Sequence, residues 1–408
     1  MAERRRRVGI VGAGPAGIMA ALEAARLGAE VLLFDTNQVV GRKLLVTGNG
    51  RCNISNRAAA ADRYVCADPD FLVTAFALYG HQRTIACLEE LCIPTYATPD
   101  GWCYPLSNSA AAVVDALAAA LDLSGVELHL QTKISDVTLV GGEVALFAGG
   151  PSRTYAVDRV VMASGGKAYP SLGSKGTMFP VLERLGHTVV PIYPALVPLV
   201  ADMRRFHRLQ GVRLDAGLAL YEGDRLLGRA VGNVMFTQNG LSGPAAMDLS
   251  YLVSTRPGAH LRIVVDLIAL HHNELVDLIA RVRSTPVPLR VVLGAFLPAK
   301  VPPVELSWAG YPPDVRLSDV SQSDLKRLVT LSRGVEIQVR GTRGFQFAQL
   351  SSGGVPVNEV EPRTMASRVV PGLHLAGEVL DVVGPCGGYN LQFALTSGAL
   401  AGAGAAVG

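Results

Sequence analysis

The succession of apolar and polar stretches near the N-terminus predicts a strand, a glycine turn, a helix and a second strand. Residues 8–11 are apolar, and Gly12, Gly14 and Gly17 then form a G-x-G-x-x-G sequence. Glycines at this spacing permit a tight turn, close approach of a pyrophosphate and close packing of the helix on the sheet. The second apolar stretch ends at Asp35, where a carboxylate can accept hydrogen bonds from ribose hydroxyls. The pattern predicts dinucleotide binding and disfavours NADP at this place.

A second strand, glycine turn and helix is predicted over residues 372–406. An apolar stretch ends in Gly377 and Glu378, glycines cluster over 384–388, and an Ala-rich helix begins near Asn390. The positive N-terminal end of that helix could stabilise the negative charge of a reduced flavin, and Glu378 could accept ribityl hydroxyls. We therefore expect the chain to start and end in one nucleotide-binding domain.

The loop after Asp35 favours FAD over NAD. Residues 37–56 are rich in turn residues, interleave apolar side chains with glycines, and carry Arg42, Lys43 and Arg51. A long loop at this position suits a ligand that extends beyond the first nucleotide, as FAD does.

The pattern changes between the two nucleotide-binding segments. Residues 57–125 are predicted to be helical with an extended interruption over 94–105, and residues 126–147 alternate as in a hairpin that turns at Gly141-Gly142. A strand at 159–163 is expected to return to the sheet. From residue 196 to about 344, short strands are followed by short helices that prolines bound. Those helices are predicted near residues 273–283, 289–296 and 321–331.

Composition narrows the class of protein. The chain has 408 residues, of which 49% are hydrophobic and 17% charged, so it can bury a core and is not mainly disordered. Its six cysteines are too sparse for a disulfide scaffold. With 37 Lys and Arg against 34 Asp and Glu, the net charge of +3 is too small to indicate nucleic acid. The apolar stretch over residues 8–22 contains glycines and continues into a polar-faced helix, so we expect no leader and no membrane segment. A cytoplasmic location with reduced cysteines is expected.

Four further stretches connect this chain with a known family. GRKLLVTGNGRCNISN, GLHLAGEVLDVVGPCGGYNLQFALTSG, ASGGKAYPSLGSKGTMFPVLERLGHTVVPIYPALVPL and MFTQNGLSGPAAMDLS together resemble the BaiN/RdsA-like flavoproteins, also known as the aminoacetone oxidase family of FAD-binding enzymes. The resemblance implies a non-covalently bound FAD, a three-part fold and an oxidoreductase activity.

The resemblance also implies which residues contact the cofactor. It carries FAD contacts onto Gly12, Gly14, Gly17, Asp35, Lys43, Thr47, Gly48, Arg51, Cys52, Asn53, Gly377, Glu378, Gly388, Asn390 and Leu391. We expect neighbouring positions to complete this site, namely Pro15, Ala16, Arg42, Gly50, Ile134, Ser164, Gly165, Gly387 and Tyr389.

Three positions depart from the family pattern. Asp35 stands where the family more often has Glu. A glycine-rich turn of the family that contains a carboxylate reads Gly173-Ser174-Lys175-Gly176-Thr177 here, so a carboxylate is lost and the cation of Lys175 is gained. Pro385-Cys386 stands where many relatives have a small hydroxyl before the paired glycines. The last two changes lie on the expected substrate side, so the substrate is not carried over from the family.

The predicted fold class is α/β. A Rossmann-like FAD-binding domain, with a parallel sheet, helices and a β-hairpin insertion, is expected over 1–195 and 345–408. An inserted β-rich substrate domain is expected over 196–270 and 332–344, with a small helical subdomain over 271–331. The candidates for the substrate side are Tyr169, Lys175, Asn239, Ser242 and Tyr389.

Three functions stay open at this stage. In the first, a small organic substrate such as an amine passes hydride to flavin N5, and O₂ or another acceptor reoxidises the flavin. In the second, NAD(P)H acts as a transient donor and the flavin reduces an activated alkene. In the third, the chain is a non-redox flavin-binding protein. The absence of a second full G-x-G-x-x-G favours the first.

Other candidate chemistry is weaker. Cys87 and Cys92 have a C-x₄-C spacing on a predicted helix, which puts the thiols on different faces, and we expect them to be structural. His271-His272 lacks spaced ligand partners in the sequence, so no metal site is expected. We expect a small-molecule substrate and no nucleic-acid partner; the oligomeric state is left open.

Overall fold

The computed structural model describes residues 4–140, 143–149 and 153–407. Its strands, numbered in chain order, are β1 (Arg7–Val11), β2 (Glu30–Phe34), β3 (Ser55–Asn56), β4 (Thr95–Ala97), β5 (Trp102–Pro105), β6 (Glu127–His129), β7 (Ile134–Val140), β8 (Glu143–Ala148), β9 (Thr154–Val157), β10 (Arg159–Met162), β11 (Val190–Ala195), β12 (Leu199–Ala201), β13 (Arg213–Glu222), β14 (Arg225–Thr237), β15 (Gly240–Ser242), β16 (Leu261–Asp266), β17 (Val335–Thr342), β18 (Leu350–Gly354) and β19 (Leu373–Leu375). Its α-helices are α1 (Pro15–Arg26), α2 (Pro69–Tyr79), α3 (His81–Glu90), α4 (Ala110–Leu123), α5 (Phe179–Arg184), α6 (Pro244–Asp248), α7 (Ser250–Ser254), α8 (His272–Val282), α9 (Leu289–Gly294), α10 (Val301–Trp308), α11 (Gln322–Arg333) and α12 (Tyr389–Val407).

The chain folds into two compact units. The first consists of Met1–Tyr193 with Gln349–Gly408, and the second is Pro194–Ala348. The corresponding limits expected from the sequence are residues 195 and 345. The further division of the second unit into a β-rich part and a helical subdomain stays a prediction, and buried residues of β13 and α8 belong to the same hydrophobic cluster.

The first unit is built on a parallel sheet. Its five strands lie in the order β19-β10-β1-β2-β6, and each neighbouring pair is parallel. The strands are short and apolar because both faces of such a sheet are covered. The predicted α/β fold with a Rossmann-type sheet is confirmed.

Both faces of the central strand β1 are packed closely. On one face, a Cβ at Gly9 would lie 2.6 Å from Leu146 and 3.3 Å from Val157, side chains of the antiparallel sheet β7-β8-β9. On α1, a Cβ at Gly17 would lie 3.4 Å from Ala163, which follows β10. Small residues at positions 9 and 17 therefore let the second sheet and α1 approach the main sheet.

The helices predicted over residues 57–125 are found as α2, α3 and α4. Asp68 and Ser109 cap α2 and α4 by accepting hydrogen bonds from Asp70 N and Ala112 N. The extended interruption is confirmed as β4 and β5. Residues 57–68 were expected to be helical and are not, apart from a short 3-10 turn at Ala61–Arg63, because Pro69 fixes the start of α2.

The predicted hairpin is confirmed over part of its length. Strands β7 and β8 pair in antiparallel fashion, and β9 extends the sheet. The predicted turn at Gly141-Gly142 lies outside the described residues. The beginning of the expected hairpin was assigned wrongly: β6 joins the parallel sheet beside β2, and Gln131, with a φ of 53°, separates it from β7.

The second unit contains a closed barrel of antiparallel strands in the order β12-β15-β14-β13-β16-β17. Helices α8, α9 and α11 correspond to the three that the sequence predicts. The sequence analysis missed α10, because Pro302 and Pro303 were taken to bound helices rather than to begin one. Proline is tolerated in the first turn, where its missing N–H has no intrahelical partner. Among the helices of the described residues, none combines the length and apolar character needed to cross a membrane.

Candidate functional site

The glycine turn between β1 and α1 leaves one side of the helix N-terminus open. A Cβ at Gly12 would lie 2.4 Å from the carbonyl oxygen of Ala163, and a Cβ at Gly17 would lie 1.8 Å from that of Gly12. At Gly14, no atom of the described chain lies within 4 Å of the Cβ position. No side chain in the described residues caps α1, which begins at Pro15. Its N–H groups are therefore available to a pyrophosphate.

Asp35 follows β2 and holds this turn together. One of its carboxylate oxygens accepts a hydrogen bond from Ala13 N at 2.8 Å, and the other accepts from the backbone N and side-chain Nδ2 of Asn37 at 2.7 and 2.8 Å. A carboxylate oxygen has two lone pairs, so the one bonded to Ala13 keeps an acceptor position. A ribose hydroxyl could use that position, and the predicted ribose contact of Asp35 stays a prediction.

The loop over residues 37–56 is packed against the glycine turn. Gly41 N donates to Ala13 O at 2.8 Å. Gly48, Asn49 and Cys52 have φ values of 56°, 56° and 62°, in the left-handed region. Cys52 is fully buried, and burial raises the pKa of its thiol to about 11, so it stays protonated at neutral pH. The loop therefore has a defined, packed shape.

An ion pair joins this loop to the C-terminal strand segment. Lys43 Nζ lies 2.5 Å from one carboxylate oxygen of Glu378, across 335 residues of sequence, while Ser351 N donates to the other oxygen at 2.8 Å. A Cβ at Gly166 would lie 2.7 Å from Glu378 Oε1, so a larger residue at position 166 would displace this carboxylate. The structure thus brings two predicted cofactor contacts, Lys43 and Glu378, into direct contact with each other.

The second glycine turn leads into α12. A Cβ at Gly388 would lie 2.2 Å from Ser55 O, and Gly387 and Gly388 have φ values of 111° and 95°. The side chain of Asn390 accepts from Gly384 N and donates to Gly384 O, both at 2.8 Å. The turn is therefore fixed on one side by β3 and on the other by the first residues of the helix.

Helices α1 and α12 run parallel and are offset along their shared direction. A Cβ at Gly398 would lie 2.2 Å from Ala16 O, and a Cβ at Gly402 would lie 2.1 Å from Ala20 O. Helix α12 begins at Tyr389, nine residues before Gly398, whereas α1 begins one residue before Ala16. At 1.5 Å per residue, the N-terminus of α12 lies about 12 Å beyond that of α1. Two positive helix ends thus face the same way, one beyond the other.

Aromatic and cationic side chains surround the N-terminus of α12 and the loop. Tyr64 donates its hydroxyl hydrogen to Tyr389 O at 2.7 Å, and the guanidinium of Arg63 lies 5.8 Å from the ring centroid of Tyr389. Burial raises the pKa of Tyr64 well above its usual value, and the neighbouring Tyr389 adds a smaller increase. Arg51 lies 4.4 Å from the ring centroid of Tyr104 and donates to its hydroxyl at 3.2 Å.

A buried polar network under this turn was not foreseen from the sequence. Ser55 Oγ donates to Gln392 Oε1 at 2.6 Å, and Gln392 Nε2 donates to the hydroxyls of Thr84 and Thr396 at 2.7 and 3.0 Å. Because the Ser55 hydrogen is engaged, His81 donates to Ser55 Oγ from Nδ1 at 2.8 Å. Burial lowers the pKa of His81. The available signal was the glutamine at position 392, in a helix that is otherwise mostly apolar and small.

The remaining predicted cofactor contacts also lie in the first unit. Ile134 begins β7 and is buried, and Ser164 and Gly165 lie two and three residues after the end of β10. Arg42 donates to Asn37 Oδ1 at 2.7 Å. Thr47 donates its hydroxyl hydrogen to Leu44 O at 2.7 Å. The same unit holds Ala16, Gly50, Asn53, Gly377 and Leu391. Their contacts with a cofactor stay predictions.

The predicted substrate-side residues are divided between the two units. Tyr169, Lys175 and Tyr389 belong to the first, and Asn239 and Ser242 belong to the second. Tyr169 has a φ of 55°, and burial raises its pKa, whereas Lys175 is exposed. Asn239 O accepts from Ala201 N at 2.9 Å within the barrel.

Cys87 and Cys92 were expected on one helix, but only Cys87 lies in α3. Cys87 is partly buried, Cys92 is exposed beyond the end of the helix, and the two form no disulfide in the described chain. Burial raises the pKa of Cys87. Within the described ranges, no group of three or more His, Cys, Asp or Glu side chains could hold a metal ion.

The parallel sheet, the open glycine turn and the paired helix N-termini define a Rossmann-type dinucleotide-binding protein. The HI0933-like protein Rossmann domain family matches residues 6–404. The chain belongs to this family of FAD-binding flavoprotein oxidoreductases, which confirms the resemblance seen in its sequence motifs.

Two curated relatives match nearly the whole chain. The 3-dehydro-bile acid delta(4,6)-reductase of Clostridium scindens is 33% identical over 98% of this chain and 99% of its own. The ribosomal RNA dihydrouridine synthase of Haemophilus influenzae is 31% identical and covers 95% of each chain. Among solved structures, 3-ketosteroid delta1-dehydrogenase from Sterolibacterium denitrificans matches with a TM-score of 0.52 at 12% identity, over 98% of this chain and 99% of that one. The last similarity shows the fold alone.

Proposed function

We propose that this flavoprotein holds FAD non-covalently along the offset N-termini of α1 and α12 and reduces a carbon–carbon double bond conjugated to a carbonyl group. The observation that carries the cofactor part is the offset of about 12 Å between two parallel helix ends. A ligand that uses both ends must extend well beyond one phosphate group. FAD has that extended form, with a pyrophosphate near its middle and a flavin ring at one end.

The residues of the first unit fit this cofactor. The open side of Gly14 and the uncapped start of α1 would accept the pyrophosphate, and the unused acceptor position of Asp35 would accept a ribose hydroxyl. The Lys43–Glu378 pair would offer both a cation and a carboxylate to the middle of the ligand. The positive end of α12, which begins at Tyr389, would stabilise negative charge on a reduced ring. FAD would supply the redox chemistry.

The direction of the reaction is proposed from the relatives. The names of the two relatives described above both imply reduction of a carbon–carbon double bond in a ring. One relative reduces delta(4,6) bonds of a 3-dehydro-bile acid, and the other forms dihydrouridine. In a 3-oxo ring with delta(4,6) bonds and in uracil, the double bond that is reduced is conjugated to a carbonyl group. The shared chemistry favours the alkene-reducing function over the amine-oxidising one that the sequence motifs favoured, and NAD(P)H is the proposed electron donor.

A flavin reduction experiment tests the proposal. The purified protein is examined for a flavin absorption spectrum, and the released cofactor is identified by mass. The holoprotein is then mixed anaerobically with NADH or NADPH, and the reduced form is mixed with a steroid 4-en-3-one or with uridine-containing RNA. We expect bleaching by one nicotinamide and recovery of the oxidised spectrum with an alkene.

Two alternatives give opposite results. An amine oxidase would be bleached by aminoacetone or a related amine and would not be reoxidised by either alkene. A non-redox flavin-binding protein would bind FAD but respond to neither donor class. A protein that cannot be reconstituted with FAD would overturn the cofactor assignment.

A further inference from the structure

The second unit carries the positive charge of the chain. Residues 194–348 contain 18 Lys and Arg against 13 Asp and Glu, a formal net charge of +5, whereas the whole chain has +3. The first unit is therefore slightly negative. A net charge calculated for the whole chain hides this difference.

Part of this charge surrounds a pocket on the barrel. The pocket has a volume of about 520 Å³ and lies at the end of β14, with Arg204, Arg340 and Arg343 among its lining residues. All three arginines are exposed. The pocket volume lies within the range of about 300 to 1,000 Å³ that is common for ligand sites.

One carboxylate orients two of these arginines without neutralising the site. Asp202 accepts hydrogen bonds from Arg204 at 2.9, 3.1 and 2.5 Å and from Arg340 at 3.0 Å. The Arg204 side chain is the main cause that lowers the pKa of Asp202, so Asp202 is ionised at neutral pH. Three guanidinium groups against one carboxylate leave the lining positive. The site therefore favours an anion.

The neutral groups of the pocket favour a particular anion. Gln238 and Asn239 are exposed at the lining and carry amides that both donate and accept hydrogen bonds, as base edges require. Beside them, the guanidinium of Arg343 lies 3.5 Å from the ring centroid of Phe347, which is 41% exposed. An exposed aromatic ring next to arginines offers stacking to a base as well as contacts to phosphate. An acidic peptide would use the arginines but would gain little from an aromatic stacking surface.

We propose that this pocket binds the phosphodiester chain of a single-stranded nucleic acid, with the arginines on phosphate and Phe347 against a base. The proposal rests on the second unit alone and does not require the reaction proposed above. It differs from the expectation, based on total charge, that no nucleic acid is bound.

The test measures binding of a fluorescently labelled oligouridine to the full-length holoprotein by anisotropy at several KCl concentrations. We expect salt-dependent binding by the unmodified protein. Arg343→Gln should weaken it by about five- to tenfold and reduce the slope of log K against log salt by about 0.7. Phe347→Ala should weaken binding about fivefold with an unchanged slope, because it removes stacking rather than charge.

Arg225→Gln is the matched control. Arg225 is an exposed arginine of the same unit and begins the 13-residue strand β14, whereas the pocket lies at the other end of that strand. Its substitution should change the affinity by less than about twofold. Flavin content and thermal stability of every variant are measured in parallel, so a loss of RNA binding is separated from a loss of the cofactor or the fold.

Competitors separate the sources of the anion. Oligothymidine of the same length tests whether the protein contacts the ribose 2′-hydroxyl. If oligothymidine and unlabelled oligouridine both compete, the site binds the phosphodiester chain in general. If only oligouridine competes, the site also contacts the 2′-hydroxyl. The proposal is overturned if inorganic phosphate or polyglutamate competes as well at equal charge concentration. It is also overturned if Arg225→Gln weakens binding as much as Arg343→Gln, or if the unmodified protein does not bind oligouridine.

Discussion

His187 Nδ1 lies 2.7 Å from a carboxylate oxygen of Glu359, across 172 residues of sequence. The other ring nitrogen lies 2.8 Å from Ser367 Oγ, so a serine, a histidine and a carboxylate stand in the order of a nucleophilic triad. However, Ser367 Oγ also accepts hydrogen bonds from Val369 N and Val370 N at 3.0 and 2.7 Å. Both lone pairs of this hydroxyl are engaged, which leaves none for attack on a carbonyl. We interpret the group as a structural link between residue 187 and the segment over 359–370.

Ser367→Ala is expected to destabilise the protein without changing its flavin chemistry. The substitution leaves the buried ring nitrogen of His187 and the part-buried Val370 N–H without this partner, which costs about 1–3 kcal/mol, whereas the exposed Val369 N–H can bond to water. Urea unfolding measures the loss, and Ser107→Ala, at an exposed serine, should cost less than about 0.5 kcal/mol. A burst of nitrophenol from nitrophenyl acetate that Ser367→Ala abolishes would instead identify a hydrolytic triad.

Gly14→Ala is expected to lower FAD affinity while the fold is kept. Its φ of −80° is accessible to alanine, and no atom of the described chain would contact the new methyl group. The methyl would occupy the space that a pyrophosphate needs, so we expect at least about a tenfold weaker binding of FAD. Reconstitution of the deflavinated protein, followed by flavin fluorescence, measures the affinity.

The control for this substitution is Gly294→Ala. Gly294 ends α9 in the second unit, and no described atom lies within 4 Å of its Cβ position either. The control should bind FAD as the unmodified protein does. Equal affinities for the Gly14 and Gly294 variants would show that the pyrophosphate does not approach the start of α1.

Gly398→Ala is expected to disturb the register of α1 and α12. The added methyl would lie 2.2 Å from Ala16 O, a backbone atom that cannot move without shifting the helix. Overpacking of this kind costs about 1–3 kcal/mol, of which the better helix propensity of alanine recovers up to about 1 kcal/mol. Thermal unfolding and FAD titration should both show a loss, whereas Gly294→Ala should show neither. Unchanged FAD affinity with lowered stability would mean that the helix offset does not set the cofactor site.

Glu305 in α10 makes the stability of the second unit depend on pH. It is fully buried, and neither carboxylate oxygen has a hydrogen-bond partner among the described residues. The nearby Ser332 hydroxyl donates to Leu328 O instead. Burial raises the pKa of Glu305 to about 7. Between pH 4.5 and 7 the unfolded chain ionises this group while the folded chain keeps it protonated, so stability falls as the pH rises through this window.

Glu305→Gln removes this dependence. At about 1.4 kcal/mol per pKa unit, the variant should gain up to about 3 kcal/mol relative to the unmodified protein between pH 4 and pH 8. Urea unfolding at both pH values measures the difference. The exposed Glu336, paired with Arg262 on the barrel surface, is the control, and Glu336→Gln should change stability by a similar, small amount at both pH values. A constant difference for Glu305→Gln across this range would mean that Glu305 is ionised in the folded protein.

The local features of the cofactor site could be predicted from the sequence, whereas its long-range partners could not. The turn between β1 and α1 could be predicted because the spacing of Gly12, Gly14 and Gly17 after a buried strand is typical of one strand–turn–helix geometry. The contact of Lys43 with Glu378 depends on how the two halves of the first unit meet, which no local pattern encodes. The second role of Asp35, as acceptor for the Ala13 and Asn37 donors, likewise appears only when the loop after β2 is folded back.

The barrel shows a different limit of the sequence analysis. Alternation predicted short strands, but closure of β12 onto both β15 and β17 depends on pairings far apart in the chain. Total charge understates the basic character of the second unit, because the first unit is slightly negative and lowers the net charge from +5 to +3. Separate counts for residues 194–348 would have indicated a basic unit.

The position of the barrel within the sequence has a consequence for biosynthesis. When the ribosome has made the first 193 residues, β10 still lacks its neighbour β19 and α1 lacks α12. The intervening residues 194–348 form their own compact unit and emerge before either missing element. While the barrel is being synthesised, the nascent chain therefore carries β10 as an unpaired sheet edge and α1 without its partner helix α12. In the binding mode proposed above, emergence of α12, rather than emergence of the glycine motif, sets the earliest moment at which the cofactor can be captured.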